Sequence, residues 1–382
     1  MTNNSTFFEA PQAAAIYKHH LLRRYIPAWA GKVGSSAPDR LVYVYDAYAG
    51  PGRYDNQAPG SPELVVDTAM AMAQLRTVHS VFSDKDSGYV DQLRQLFVEK
   101  GVSPDSYCVL RGSVEEHIED VSAAVGDAPL FVFLDPFGLT VPFETVVQTL
   151  AGRRKPGWSP MSQPKTELLM NFSYEAVRRI AGVLRSNSTH GRRDAQLATL
   201  DRALGGDWWR EIAIQSDDGW VHDILVEFAT RVTKAAGRFD FITADVSDSI
   251  TAQPVYELIL FTAHQDGMWE MAQAMSLARK DWREYLVKQE EKKTSGQLVM
   301  RGMDFSDDPD AWVKEIVANI RALLAGRESV AVRRDFVTIY GKTLGFARER
   351  HLRKALKLLE GEGLVEACSG GKLVTKVIKG LP

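Results

Sequence analysis

Three carboxylates stand where an apolar run gives way to a turn: Asp46, Asp84 and Asp135. Asp46 follows Leu41-Val-Tyr-Val-Tyr45 and opens onto Ala47-Tyr-Ala-Gly50-Pro-Gly52, whose glycines let backbone approach a nucleotide-like ligand. Asp84 ends His79-Ser-Val-Phe-Ser83, where a carboxylate is the acceptor that a ribose diol needs. Asp135 follows the five apolar residues Leu130-Phe-Val-Phe-Leu134 and begins Asp135-Pro-Phe-Gly138. There an Asp can accept one N–H of a nucleophilic amine, the strand-end carbonyl can accept the other, and the Phe137 ring can hold a planar base. Such an amine can lose its proton after attack, so positioning supplies most of the rate and no strong base is required. Ordinary turn chemistry is the competing account of each Asp.

Holding these groups together takes a parallel sheet with its carboxyl ends on one edge. Residues 41–64 read as strand, glycine loop and helix, the helix opened by Ser61 as cap with Pro62 at its first position. The long segment 53–59 is expected to fold over a cofactor or rim the substrate entrance, and to order on binding. A helix over 63–75, a strand over 79–84, a helix over 88–100 and a strand over 107–110 follow. Ser113-Val-Glu-Glu116 is a capping box that opens the next helix, and it alone would explain Ser113. The strand over 130–134 is apolar enough to be buried on both faces. Residues 167–173 form another strand, with Asn171, Phe172 and Tyr174 near its exit as candidates to line a substrate pocket.

Around this frame, 13–29 reads as an amphipathic helix whose Lys18, His19 and His20 could reach the pocket, although a solvated basic face is the simpler expectation. The Pro-, Gly- and Lys/Arg-bearing stretch 152–165 is a surface loop and a candidate lid. Residues 173–236 read as a mostly helical insertion, with Arg178, Arg179, Arg185, Arg192 and Arg193 either cradling an anionic substrate or facing solvent. A hairpin-like strand pair over 239–244 and 255–263 then ends the sheet, followed by a helix through Trp269 and Met275.

The chain has 382 residues, 45% hydrophobic and 25% charged, which allows two or three domains with ordinary cores. Its two cysteines, Cys108 and Cys368, offer neither a metal cluster nor a disulfide framework, and a reducing cytoplasm is the expected setting. No apolar run approaches the roughly 18 residues of a membrane span. The net charge of -3 is unevenly spread: from Ala311 onward fourteen Lys/Arg face seven Asp/Glu, and the remainder is acidic.

The glycine loop resembles motif I, D-x-F/Y-A-G-x-G, of class I S-adenosylmethionine (SAM) methyltransferases. Asp135-Pro-Phe-Gly138 is similar to the DPPY motif of adenine and cytosine amino-methyltransferases and closer to the DPFG of tRNA guanine-N2 dimethyltransferases. It departs from DPPY in having Phe137 for the second Pro and Gly138 for the terminal aromatic, which leaves the target base open. A wider set resembles the three-Cys-motif partner (TcmP) family: Lys18 and Tyr25, the loop from Asp46 to Gly52 with Gly60-Ser-Pro62, Asp84-Lys-Asp86, Leu134-Asp-Pro-Phe-Gly138, Asn171-Phe172, and the segment from His264 to Trp269. The resemblance covers about 12–285. It implies a Rossmann-like α/β methyltransferase sheet with SAM held by Asp46, Tyr48, Gly50, Gly52, Asp84, Arg111, Gly112 and Ser113. By the likeness to DPPY and DPFG, Asp135, Pro136 and Phe137 would handle the exocyclic amine of a DNA or RNA base. The TcmP resemblance also implies a partner protein that carries three cysteines and resembles radical-SAM proteins. The alternative is an adaptor that uses the same fold to present nucleic acid to that partner.

Residues 286–310, with Gln289-Glu-Glu-Lys-Lys-Thr-Ser-Gly296, read as a linker. Beyond it, helices over 312–324, 333–340 and 347–359 precede two short strands, 364–367 and 373–377, around Cys368-Ser-Gly-Gly371. Three helices and a hairpin make a winged helix-turn-helix over 311–382. Arg348, Arg350, His351, Arg353, Lys354 and Lys357 decorate its recognition helix and Lys372 its wing, a footprint suited to phosphates. A protein-docking winged helix with solvated charges is the other reading.

Overall fold

A computed structural model describes residues 11–159, 162–185, 193–215, 219–249, 253–293, 308–367 and 370–381. The chain divides into two compact units, Met1–Ala263 and His264–Pro382. This division falls before the helix that starts at Gln265, ahead of the boundary at 285 expected from the sequence.

In the first unit α1 (Ala13–Val33) precedes β1 (Leu41–Asp46), α2 (Ser61–Met72), β2 (Thr77–Asp84), α3 (Ser87–Glu99) and β3 (Tyr107–Arg111). Then come α4 (Val114–Val125), β4 (Leu130–Leu134), α5 (Phe143–Ala151), β5 (Thr166–Ser173) and four helices, α6 (Tyr174–Arg185), α7 (Arg193–Leu204), α8 (Trp209–Gln215) and α9 (Trp220–Ala236). Strands β6 (Asp240–Val246) and β7 (Tyr256–Thr262) complete a seven-stranded Rossmann-like sheet of order β3-β2-β1-β4-β5-β7-β6.

The pairings β1 with β2 and β4, β2 with β3, and β4 with β5 are all parallel, so the carboxyl ends of five strands share one edge. Asp46, Asp84, Arg111, Asp135 and Asn171 are thereby brought to one rim. Strand β7 is antiparallel to β5 in the register Ser173↔Tyr256, so its first residue joins the same rim. All five residues of β4 are buried, as a strand covered on both faces requires.

Helix α1 buries Ala14, Tyr17, Leu21, Leu22, Tyr25, Ile26 and Trp29, the recurrence of an amphipathic helix. Lys18 and His19 lie in the buried set as well, which corrects the expectation of a solvated basic face. On the other side of the sheet α4, α5 and α6–α9 share one core with Tyr45, Val132, Leu134, Met170 and Phe172. The helical insertion is thus part of the core rather than an appended cradle.

Of the five arginines expected to cluster in this insertion, the side chains of Arg178, Arg179 and Arg193 are described, and that of Arg185 lies outside the description. The Arg178 guanidinium donates to Pro254 O and Gln253 Oε1, Arg179 is exposed, Arg193 donates to Leu184 O, and Arg192 lies outside the described residues. The candidate lid 152–165 is corrected too. Arg153 donates to the carbonyls of Gly126, Ala128 and Lys165, and Lys165 O accepts from Leu130 N, so the loop is fastened at the amino edge of β4 and β5, opposite the carboxylate rim.

The second unit holds α10 (Gln265–Lys293), α11 (Pro309–Leu324), β8 (Ser329–Ala331), α12 (Val332–Tyr340), α13 (Glu349–Gly361) and β9 (Val377–Lys379). The expected linker falls partly inside α10, and 294–307 lies outside the described residues. Strand β9 pairs antiparallel with β8, and Val365 bridges Gly380. The expected strand over 373–377 is replaced by a 3-10 turn, Leu373–Thr375, with the strand beginning at Val377. Three residues, Ser-Val-Ala, are too short a run to betray β8 by pattern, yet β8 sets where β9 pairs. The turn residues Cys368 and Ser369 lie outside the described residues. No described helix is long and apolar enough to cross a membrane.

Candidate active site

The glycine loop leaves β1 and is tied to the ends of two neighbouring strands, β4 and β2. Ala47 N donates to Phe133 O (3.1 Å), Ala49 N to Ser83 O (3.1 Å), and Gly50 N to Asp84 Oδ2 (2.9 Å). Gly50 and Gly52 have φ of 60° and 83°, a region that costs a side-chain-bearing residue energy. At Gly52 a Cβ would also lie 2.7 Å from Leu96 Cδ2 and 2.8 Å from Leu93 Cδ2, so this glycine lets the loop seat on α3.

Asp46 is fully buried, with Tyr48 N donating to Oδ1 (3.3 Å). Burial pushes its carboxyl up to about 7, against hydrogen bonds from the Ser61 hydroxyl and the Tyr48 N–H; the nearby Asp135 raises it further and Lys18 lowers it. Ser61, expected as the cap of α2, instead serves Asp46, and the cap position falls to Gly60. The Oδ2 atom of Asp46 is buried with no hydrogen-bond partner among the described residues, an orphaned acceptor that suits a bound donor or cation.

Asp84, half-buried at the end of β2, accepts from Gly50 N and from Asp86 N (2.9 Å), while its carbonyl accepts from Gly112 N (2.9 Å). These bonds make the ends of β1, β2 and β3 one frame. The Ser113–Glu116 capping box is present, with Glu116 Oε2 accepting from Ser113 N (2.7 Å). Arg111 is exposed beside it, and Gly112 has φ of 143°. Segment 53–59 is closed on itself by an Arg53↔Pro59 bridge and a Tyr54 N to Ala58 O bond (2.9 Å). It is anchored where Arg53 donates twice to Glu63 at 2.6 Å, and it buries Tyr54, whose hydroxyl is pushed up by burial and then by Asp135.

At the end of β4, Asp135 is gripped on both oxygens. The Lys18 ammonium of α1 contacts Oδ2, and Asn171 Nδ2 of β5 donates to Oδ1 (2.9 Å). Lys18 is only 5% exposed, and its Nζ lies 5.9 Å from the centre of the Tyr256 ring. Tyr256 in turn donates to Ala14 O (2.7 Å), and Tyr25 donates to the buried Glu167, so α1 is pinned to both β7 and β5. Phe137 is 51% exposed just beyond Asp135, and Pro136 is buried.

Phe172 and Tyr174 do not join this group. Alternation along β5 sends Asn171 to the α1 face and Phe172 to the opposite core, where Phe172 packs on Phe228 and the hydroxyl of Tyr174, the first residue of α6, donates to Glu257. His222 Nδ1 also lies 2.9 Å from that Glu257 oxygen, and its imidazole is raised by this bond. Asn171 alone of the three expected pocket residues reaches Asp135.

The residues that the motifs left out are Lys18 as a partner of Asp135, Tyr54 and Tyr256. The signal for Lys18 was its place among Ala14, Leu21, Leu22 and Tyr25, one helical face.

In the second unit Arg350 and Lys357 are exposed on α13, whereas Arg353 pairs with Glu349 and bonds Gly371 O (3.1 Å), and Lys354 pairs with Asp310 (2.7 Å). Arg348 precedes the helix as its half-buried cap, and His351 is buried and closes the capping box. Burial, with the neighbouring Arg350, pushes the His351 imidazole down to about 4.

No family model matches the sequence, and no curated protein matches it. Among solved structures the chain is similar to a protein of Legionella pneumophila str. Philadelphia 1, with 11% identity, 66% of this chain and 86% of that one covered, and a TM-score of 0.35. It is similar to an rRNA methylase from Streptococcus thermophilus (13% identity, 63% and 96% covered, TM-score 0.29) and to a human methyltransferase 10 domain containing protein (9% identity, 64% and 83% covered, TM-score 0.31). At this level of likeness neither activity nor substrate transfers to the chain.

Proposed function

We propose that the protein is a SAM-dependent methyltransferase that acts on an exocyclic amine of a DNA or RNA base. The observation that carries this reading is the grip on Asp135. A carboxylate at the carboxyl end of β4 has both oxygens aimed by Lys18 and Asn171, an exposed aromatic follows it, and it stands beside the Asp46 glycine loop. SAM supplies an electrophilic methyl group when bound. The residues that would hold it are Asp46, with its orphaned buried oxygen, the backbone of Gly50 and Gly52, and Asp84 at the ribose-binding position. Asp135 would accept an N–H of the base amine, and Phe137 would lie on the face of the base.

The motif set that resembles the three-Cys-motif partner family supports a second protein with three cysteines as the working companion. Helices α11, α12 and α13, the β8–β9 pairing and the Val365–Gly380 bridge support a winged helix, and exposed Arg350 and Lys357 support its use on nucleic-acid phosphates. The exposed ion pairs of Arg353 and Lys354 are worth about 0–1 kcal/mol each and can be exchanged for phosphate.

The test is incubation of the chain with labelled SAM and separate pools of DNA, tRNA and protein, alone and with the partner. Transfer to DNA or tRNA that Asp135→Ala abolishes is the expected result. No transfer to any pool under either condition would overturn the enzyme reading, and partner function retained in Asp135→Ala would establish the adaptor instead.

A further inference from the structure

We propose that Lys18 sets the substrate class of this site: its ammonium, fixed behind Asp135, makes the carboxylate accept a neutral aromatic amine and turn away a protonated alkylamine. This rests on the amine-methylation reading above. The contact is built in. Lys18 is more deeply buried than Asp135 (side chains 7% and 17% exposed), so the ammonium approaches from the protein side and leaves the remaining carboxylate surface facing outward. Its helix cannot easily withdraw, because Tyr256 holds Ala14 at one end and Tyr25 holds Glu167 further along.

A carboxylate has about four lone-pair sites. Lys18 and Asn171 take one on each oxygen, and those that remain can accept N–H bonds from an incoming amine. What Lys18 removes is the negative charge. An unpaired carboxylate would attract ammonium groups, which abound on protein lysines. With the Lys18 charge already on it, a second ammonium would meet a like charge, whereas a neutral exocyclic amine would lose nothing. Two unit charges about 6 Å apart at an effective dielectric of about 20 repel strongly enough to shift the preference on the order of 100-fold. Lys18 touches neither amine in this account, so it is a specificity-determining residue and not a catalytic one.

The test uses the full-length chain near pH 7 without cofactor. Calorimetry measures binding of n-butylammonium chloride and, separately, of adenosine, cytidine and guanosine, in wild type, Lys18→Met, Lys18→Arg and the double variant Lys18→Met/Asp135→Asn. Wild type should bind at least one nucleoside and reject n-butylammonium. Lys18→Met should gain n-butylammonium affinity by about 100-fold relative to its nucleoside affinity. Lys18→Arg should reject the cation as wild type does, and the double variant should lose the gain.

A folded Lys18→Met that binds n-butylammonium no better than wild type would overturn the proposal. Should Lys18→Met fail to fold, wild type alone decides: a hundredfold excess of n-butylammonium that displaces the bound nucleoside overturns it, and failure to displace supports it. A gain of cation binding with no nucleoside bound by any form would overturn the base-methylation reading and leave the charge filter standing. Nucleoside binding without the gain would overturn the filter alone.

Discussion

Replacing Asp46 with Asn should make the free protein more stable at alkaline pH and abolish cofactor binding. Asp46 is fully buried, and burial is the largest cause that lifts its carboxyl from 3.8 to about 7. Below about pH 4 both the folded and the unfolded chain hold the proton, and the residue has no pH-dependent cost. Between about pH 4 and pH 7 the unfolded chain ionises while the folded one keeps the proton, so stability falls as pH rises. Above pH 7 the cost is constant, at about 4 kcal/mol for a shift of roughly three units at 1.36 kcal/mol each. Between pH 5 and pH 8 the wild type should therefore lose about 2–3 kcal/mol through Asp46, and Asp46→Asn should not. Glu167, raised to about 7 by burial, acts in the same direction in both proteins and provides an internal reference. Urea unfolding at pH 5 and pH 8 measures the difference, and filter retention of labelled SAM measures the loss of binding. An identical pH dependence in the two proteins would refute the buried-carboxylate account, and undiminished SAM retention would remove Asp46 from the cofactor site.

Three further outcomes are expected. Gly52→Ala, with φ of 83° and a Cβ 2.7 Å from Leu96, should lower stability by about 1–3 kcal/mol, read as a drop in thermal midpoint, and weaken SAM binding in parallel. Asp135→Asn should reduce methyl transfer at least about 100-fold while SAM affinity changes only a few fold, which equilibrium dialysis checks beside the transfer assay. Charge reversal at Arg350 and Lys357 together should weaken nucleic-acid binding evenly across sequences and lower the salt slope of log K by about 2, measured by fluorescence anisotropy between 50 and 200 mM salt.

Much of the site was legible in the sequence because its parts are local. The apolar run to Asp46, its glycines and the run to Asp135 are strand-and-turn chemistry within a dozen residues, and those segments fold as their patterns dictate. The alternation of β5 is equally local and separates Asn171 from Phe172, since neighbours in a strand face opposite sides.

The folded chain alone decided what lies against what. Helical period places Lys18 on the buried face of α1, but no local pattern says that this face meets Asp135, more than a hundred residues away, or that antiparallel β7 brings Tyr256 beside both. Likewise, nothing in Ser329–Ala331 announces a strand until β9 supplies its partner. Periodicity determines which side of an element is buried; the pairing of elements across the chain, set by sheet order and core packing, determines which charge a carboxylate meets there.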